Sequence, residues 1–296
     1  MTFCTKCGNE LVEGAEFCPK CGLVVDSPAR RSARESLDKP RRKPIGTMTI
    51  ALIVIVVAVV IVGLLSTVFL LGGWHLGEVV GSGDLVTNQE FISDFTAVDA
   101  ESGFNVEISQ SNSYSVLVTT DDNIMDYIEV KKSGDTLMVG VKWGYSLRSV
   151  TLDVEITMPE LYNVDLSGGA KANLEGFIVT SDFSIELSGG SRLTGEFETS
   201  GDVDIDVSGG SPLSLDGEAN DLTIDASSGS NLGLSHFKVH NIDIDLSGGS
   251  HATINLDGIL DADLSGGSHI SYIGDATLRN IETSGGSEIS KQTIPD

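Results

Sequence analysis

The chain has 296 residues and a formal net charge of −25, from 43 Asp and Glu against 18 Lys and Arg. The charge is divided unevenly, because the first 47 residues hold nine Lys/Arg and six Asp/Glu, whereas the sequence after Leu71 holds nine and 37. A mildly basic start joined to a strongly acidic remainder excludes one uniform domain and calls for an account in parts.

All four cysteines fall in the first 25 residues, in "FCTKCGNELVEGAEFCPKCG", as Cys4, Cys7, Cys18 and Cys21. Two C-x2-C pairs separated by ten residues put four thiolates on facing turns, and Gly8 and Gly22 follow the second Cys of each pair, where the backbone curls to aim N–H groups at sulfur. The pattern predicts a closed Cys4 zinc site, with iron in a rubredoxin-like site as the alternative metal. Four protein sulfurs leave no open position, so the zinc is structural. With only Phe3, Leu11, Phe17 and Leu23 as apolar mass, the module depends on the metal to fold. The stretch resembles the short zinc-ribbon module at the N-terminus of many prokaryotic membrane proteins.

Residues 26–47, "DSPARRSARESLDKPRRKPIGT", are polar, basic and broken by Pro28, Pro40 and Pro44, which reads as a flexible linker. Met48–Leu71 then runs without a charge and would be about 36 Å long as a helix, enough to cross a hydrocarbon core of about 30 Å. We read it as one transmembrane helix. Lys39, Arg41, Arg42 and Lys43 immediately precede it, and the first basic residue after it is Lys131, so the N-terminus is expected in the cytoplasm and the rest outside the cell membrane. Basic residues beside such a span set topology, and no nucleic-acid partner is expected from them. Trp74 and His75 fit an outer interfacial belt, and residues 72–90 read as a juxtamembrane linker.

From Leu166 onward the chain repeats one word: LSGGA, LSGGS from Leu187, VSGGS from Val207, ASSGS from Ala226, LSGGS from Leu246 and Leu264, and TSGGS from Thr283. Copies 18 to 21 residues apart suit one coil of a β-solenoid. Alternate residues ahead of each word form the rows Tyr162, Val164, Leu166; Phe183, Ile185, Leu187; Val203, Ile205, Val207; Leu222, Ile224, Ala226; Ile242, Ile244, Leu246; Leu260, Ala262, Leu264; and Arg279, Ile281, Thr283. A period of two places each row on one strand face, and stacking turns the rows into columns that fill the interior. Alternation resumes after the word, as at Leu213 and Leu215, so each coil has at least two strands joined at a Ser-Gly-Gly-Ser corner. A nucleophile is needed once, with a base beside it, and no His or Lys recurs in step with these serines. The last row, with Arg279 and Thr283, is expected to block the open end of the stack.

Upstream, Phe104–Met158 holds alternating segments with "KSGD" as a hairpin turn, read as less regular first coils or a cap. From "FTAVDAESGFNVEIS" through "ITMPELYNVDLSGGA" into the repeats, over roughly residues 91 to 290, the chain resembles the auto-transporter adhesin head GIN domain family. The resemblance implies a right-handed parallel β-helix for residues 91–296 and carries over no active site.

Two residues before each motif Ser stands an acid: Asp165, Glu186, Asp206, Asp225, Asp245, Asp263, Glu282. Carboxylates about 4.8 Å apart repel by roughly 0.9 kcal/mol per pair in a waterlike dielectric. Two readings follow: a solvated acidic face that discourages pairing with other sheets, or weak Ca²⁺ binding between rows through hard oxygen ligands. His251 and His269 follow the word in adjacent coils and would stack.

These parts predict a mainly β, membrane-integral protein acting as a non-catalytic, adhesin-like surface-binding module with an envelope ligand outside. An envelope sensor, relaying to a cytoplasmic protein partner at the ribbon, is the alternative. A polysaccharide-cleaving β-helix is disfavoured, because coils this short leave no room for the loops that build a catalytic cleft.

Overall fold

The computed structural model describes residues 2–4, 6–11, 17–22 and 77–292, which belong to two compact units. The linker 26–47 and the expected span 48–71 lie outside the described residues, among which no helix is long and apolar enough to cross a membrane. In the small unit, β1 (Thr2–Phe3) and β2 (Glu10–Leu11) pair antiparallel.

The large unit begins with β3 (Gly77–Val80) and β4 (Leu85–Glu90), so part of the stretch expected as linker is strand. Next come β5 (Ala97–Ala100), β6 (Asn105–Gln110), β7 (Ser115–Asp121), β8 (Ile128–Ser133), β9 (Thr136–Val141), β10 (Tyr145–Arg148) and β11 (Leu152–Met158). The expected hairpin is present at Ser133–Thr136, where β8 and β9 pair antiparallel. The regular coils follow, each giving one strand to each of two sheets. Ahead of the corners lie β12 (Asn163–Leu166), β14 (Phe183–Leu187), β16 (Val203–Val207), β18 (Asp221–Ala226), β20 (Asn241–Leu246), β22 (Ile259–Leu264) and β24 (Thr277–Thr283). After the corners lie β13 (Lys171–Val179), β15 (Arg192–Thr199), β17 (Pro212–Glu218), β19 (Asn231–Val239), β21 (His251–Leu256), β23 (His269–Ile273) and β25 (Glu288–Lys291).

Parallel pairing in register converts sequence rows into columns. Val98, Val164, Ile185, Ile205, Ile224, Ile244, Ala262 and Ile281 are successive ladder partners, and those from Val98 to Ala262 are buried. The opposite sheet supplies Val106, Ala172, Leu193, Leu213, Leu232, Ala252 and Ile270 in the same manner. Phe183, Phe197 and Phe237 fill the wider part of the interior, with ring centroids 4.7 and 5.1 Å apart. Each such side chain contributes about 1.5–3 kcal/mol by leaving water.

The order of the first coils is not the order of the chain. β9 pairs with β5 on the side away from β12, and β11 pairs with β6 on the side away from β13. The earliest coil, β5–β6, is therefore enclosed by strands that come later. Met158-Pro159-Glu160-Leu161 carries the chain past it, with Met158 and Leu161 both fully buried. Gln110 braces this crossover, its amide donating to the Pro159 carbonyl at 3.0 Å and to the Ile178 carbonyl at 3.2 Å. Beyond β9 and β11, the antiparallel strands β7, β4 and β8 close this end of both sheets.

Two expected rows differ. Tyr162 is only half-buried and donates its hydroxyl to Glu160 at 2.6 Å; Leu161 takes the core, because the chain is still in the crossover and has not begun to alternate. Arg279 is not an inward plug. A register shift in β24 lets Leu278 pair with Leu260 and Ile281 with Ala262, and Arg279 instead meets Asp261 on the outer face.

The corners explain the repeated word. Ser188 to Ser191 is a type I′ turn: Gly189 and Gly190 have φ of 62° and 77°, and the Ser191 amide donates to the Ser188 carbonyl at 3.2 Å. The closing Ser turns inward: Ser191, Ser211, Ser230, Ser250 and Ser268 are buried, with hydroxyls donating to backbone carbonyls, as from Ser211 to Ser208 at 2.7 Å. At the first left-handed position a Cβ on Gly209 would lie 2.8 Å from the Gly189 amide nitrogen below it, whereas at Gly210 the nearest atom is 3.8 Å away. Ser102 and Ser228 occupy this first position in two other corners, with φ of 63° and 60°. Gly210→Ala should therefore cost about 1–2 kcal/mol, the left-handed penalty alone. Gly209→Ala should add about 1–3 kcal/mol of overpacking, and denaturant unfolding of both variants checks the difference.

Candidate functional site

Two sites emerge, one in each unit. In the ribbon, Cys4 and Cys21 sulfurs lie 3.6 Å apart, as do those of Cys7 and Cys18, and all four fall within 4.8 Å of one another. A tetrahedral zinc with metal–sulfur bonds of about 2.3 Å requires sulfur–sulfur edges of about 3.8 Å, so the donor set and spacing fit. The knuckles are held by Gly8 donating to the Cys4 carbonyl and Gly22 to the Cys18 carbonyl, each at 2.9 Å. Amides of Lys6 and Cys7 draw the Cys4 thiol down to about 6. At Cys7 the Asn9 amide pulls downward, but burial and the neighbouring sulfurs prevail and push the thiol up to about 12. Without metal the four sulfurs share protons, and a divalent cation must displace them. Cys18→Ser, or treatment with a strong chelator, should remove the bound metal, release the ribbon fold and leave the solenoid's thermal transition unchanged; metal analysis and calorimetry on the full chain check this.

On the outer face of the sheet ahead of the corners, the predicted acids form one ladder. Asp165, Glu186, Asp206, Asp225, Asp245, Asp263 and Glu282 are consecutive register partners. Asp99 on β5 extends the ladder by one rung as the partner of Asp165. Sequence reading missed Asp99 because its coil lies far upstream and its corner is written Glu-Ser-Gly-Phe; the left-handed Ser102–Gly103 pair after it is the signal that identifies it. Asp206, Asp225, Asp245 and Asp263 line a shallow open groove of about 290 Å³ together with Ser227, Ser247 and Ser265. A second groove of about 430 Å³ on the same sheet is lined by Asp182, Asp202, Asp204, Asp221, Asp243 and Asp261, and ends at Arg279.

The electrostatics differ along the ladder. Burial, then the Glu101 charge, raises Asp99; burial, then Asp99, raises Asp165. Asp245 is raised by burial and by Asp225, Asp263 and Asp243 around it. Asp261 is held low by the two-pronged Arg279 guanidinium and the Asn280 amide. The ladder is therefore a row of like charges, and the Arg279 guanidinium answers Asp261 in the neighbouring row of acids rather than a rung of the ladder. Among the described residues, only the four cysteines form a group of three or more His, Cys, Asp or Glu ligand atoms mutually within 4.8 Å. The carboxylates are aligned but not gathered around a point, and the expected calcium ladder gains no support from this arrangement. His251 and His269 are ladder partners with ring centroids 6.2 Å apart on the other sheet, and although Glu288 follows in the same ladder, 4.0 Å from His269 Nδ1, the three do not converge within 4.8 Å of one another.

A raised carboxylate favours the folded state below its ordinary range and disfavours it as pH rises through the shifted value. Asp245→Asn should thus leave the melting temperature unchanged near pH 3 and raise it by about 2–4 °C at pH 7, because it removes two neighbouring repulsions of roughly 0.9 kcal/mol each, which salt about halves. Thermal melts across that pH range check it.

The family described as "Putative auto-transporter adhesin, head GIN domain" matches residues 94–276, and a zinc-ribbon domain matches residues 3–24. The chain belongs to that GIN-domain family and carries a zinc ribbon at its N-terminus. A solved "putative adhesin" from Bacteroides fragilis is similar, with a TM-score of 0.68 and 20% identity over 72% of this chain and 100% of that one. A "putative adhesin" from Parabacteroides merdae follows at a TM-score of 0.57 and 20% identity, over 73% of this chain and 99% of that one. A "putative lipid binding protein" from Parabacteroides distasonis has a TM-score of 0.57 and 18% identity, over 73% and 100%. At these identities the likeness is one of fold. No curated protein matches the chain.

Proposed function

We propose that this protein is a single-pass cell-membrane protein whose solenoid, outside the cell, is a non-catalytic binding module of adhesin type, with a cytoplasmic zinc ribbon. The observation that carries the reading is the in-register acidic face. Repeating the same side chain at a fixed spacing along a rigid sheet suits an extended, repetitive or cationic surface, met by many weak contacts rather than one deep pocket. The uncharged segment 48–71 and the basic residues before it support the anchoring and its direction. Membership of the GIN-domain family supports a binding role.

A sensor role is the second reading, supported by a zinc-ribbon module and a solenoid on opposite sides of one apolar segment in the sequence. Deleting residues 1–44 would abolish a cellular response on that reading and leave surface display intact.

The direct test is capture of cell-wall glycans and envelope extract by the full chain in nanodiscs, with and without Ca²⁺. Binding should fall at least tenfold, by about 1.4 kcal/mol, when Asp206, Asp225 and Asp245 are changed together to Asn. Capture that is unchanged by this triple substitution would remove the ladder from the binding surface. Capture that needs Ca²⁺ would restore the cation reading of the carboxylates.

A further inference from the structure

Among the described residues of the solenoid unit eight large apolar side chains are exposed, and six of them, Val80, Leu85, Val86, Phe91, Trp143 and Tyr145, belong to its capped end. They lie on β3, β4 and β10 or in the segments beside them, where β4 and β8 terminate the two sheets. Phe91 is 90% exposed and Trp143 84%. Tyr145 packs edge-on against Tyr127, centroids 4.6 Å apart, and still leaves 46% of its surface outside. Elsewhere the outer faces of the coils are mostly polar, with Ile178 and Leu278 as separate exposed apolar side chains, so the concentration of exposed apolar side chains sets this end apart from the rest of the unit.

The same end lies beside the apolar segment in sequence. Five residues, 72–76, join Leu71 to Gly77, and at full extension they reach no more than about 18 Å. Four of the nine Lys and Arg after Leu71, namely Lys131, Lys132, Lys142 and Arg148, also belong to this end and are exposed. Trp and Tyr, with an apolar body and a polar tip, are the side chains that settle at the headgroup boundary of a bilayer.

We propose that the capped end is a lipid-facing foot, with Phe91 and Trp143 seated in the headgroup region of the phospholipid bilayer that anchors the chain. The tether argument rests on the single-pass reading above; the exposed aromatic cluster does not. A second copy or another protein on this face is what the test must separate from lipid.

The chain has two tryptophans. In full-length protein carrying Trp74→Phe, emission therefore reports Trp143 alone. Reconstituted in nanodiscs of phosphatidylcholine and phosphatidylglycerol, Trp143 should emit to the blue, resist iodide and lose most of its emission when the lipids are brominated. Adding Phe91→Ser and Val86→Ser should restore iodide access without changing the solenoid's melting transition. Emission that ignores brominated lipid while iodide quenches it freely would overturn the foot, even with the protein resisting carbonate extraction. Protection from both quenchers, with chemical cross-linking between copies, would assign the face to a second copy and also overturn it. Release of the protein by carbonate would instead sink the single-pass reading, and quenching by brominated liposomes would then decide the foot on its own.

Discussion

The large unit depends on one constraint, the in-register parallel pairing of successive coils about 4.8 Å apart. Because Ile224 must lie on Ile205 and beneath Ile244, a side chain that suits the interior once suits it in every coil. The same rule brings Asp225 onto Asp206 and Asp245. One geometric fact thus produces both the apolar columns and the carboxylate ladder, and the balance between them is arithmetic. Each buried apolar residue contributes about 1.5–3 kcal/mol, and each adjacent pair of exposed carboxylates costs roughly 0.9 kcal/mol before salt screens it. Several apolar residues per coil offset one rung with a wide margin.

That margin leaves the outer face free to be set by something other than stability. A solvated face requires polarity but not identical charge at one position; Ser and Thr, which occur at the neighbouring positions Ser184 and Thr223, keep a sheet wet without repulsion. The ladder nevertheless carries acid on every regular coil and on the β5 coil as well. Arg279 answers Asp261 at the terminal coil, where no following described coil would repel it, and the acids before it are left with each other. An unbroken row of one charge on a stiff sheet is compatible with the contact surface proposed above.

The columns and the corners were legible from the sequence because period two and the Ser-Gly-Gly-Ser word are local. Three features were not, each for a physical reason. Tyr162 follows the alternating pattern on paper, but the Met158–Leu161 crossover delays the start of the strand and hands the core to Leu161. Arg279 also sits on the pattern, but an extra residue in β24 opposite Asp261 shifts the register, so that Leu278 pairs with Leu260 and the guanidinium reaches the Asp261 carboxylate on the outer face. Asp99 belongs to a coil that sequence order hides, since the strands stacked on either side of it, β9 and β12, both come later in the chain. The stacked order becomes readable only when pairing between distant strands is known.

The ribbon and the solenoid reach order by opposite routes. The ribbon's cluster of buried residues is Cys4, Leu11 and Cys18, so its fold rests on bonds from sulfur to a metal. The solenoid rests instead on a continuous apolar interior, against which the repulsion on its charged face is a small opposing contribution. A ribbon that depends on metal is sensitive to conditions that leave the solenoid untouched. If the two modules lie on opposite sides of a membrane, as proposed above, that independence would let each act in its own compartment without unfolding the other.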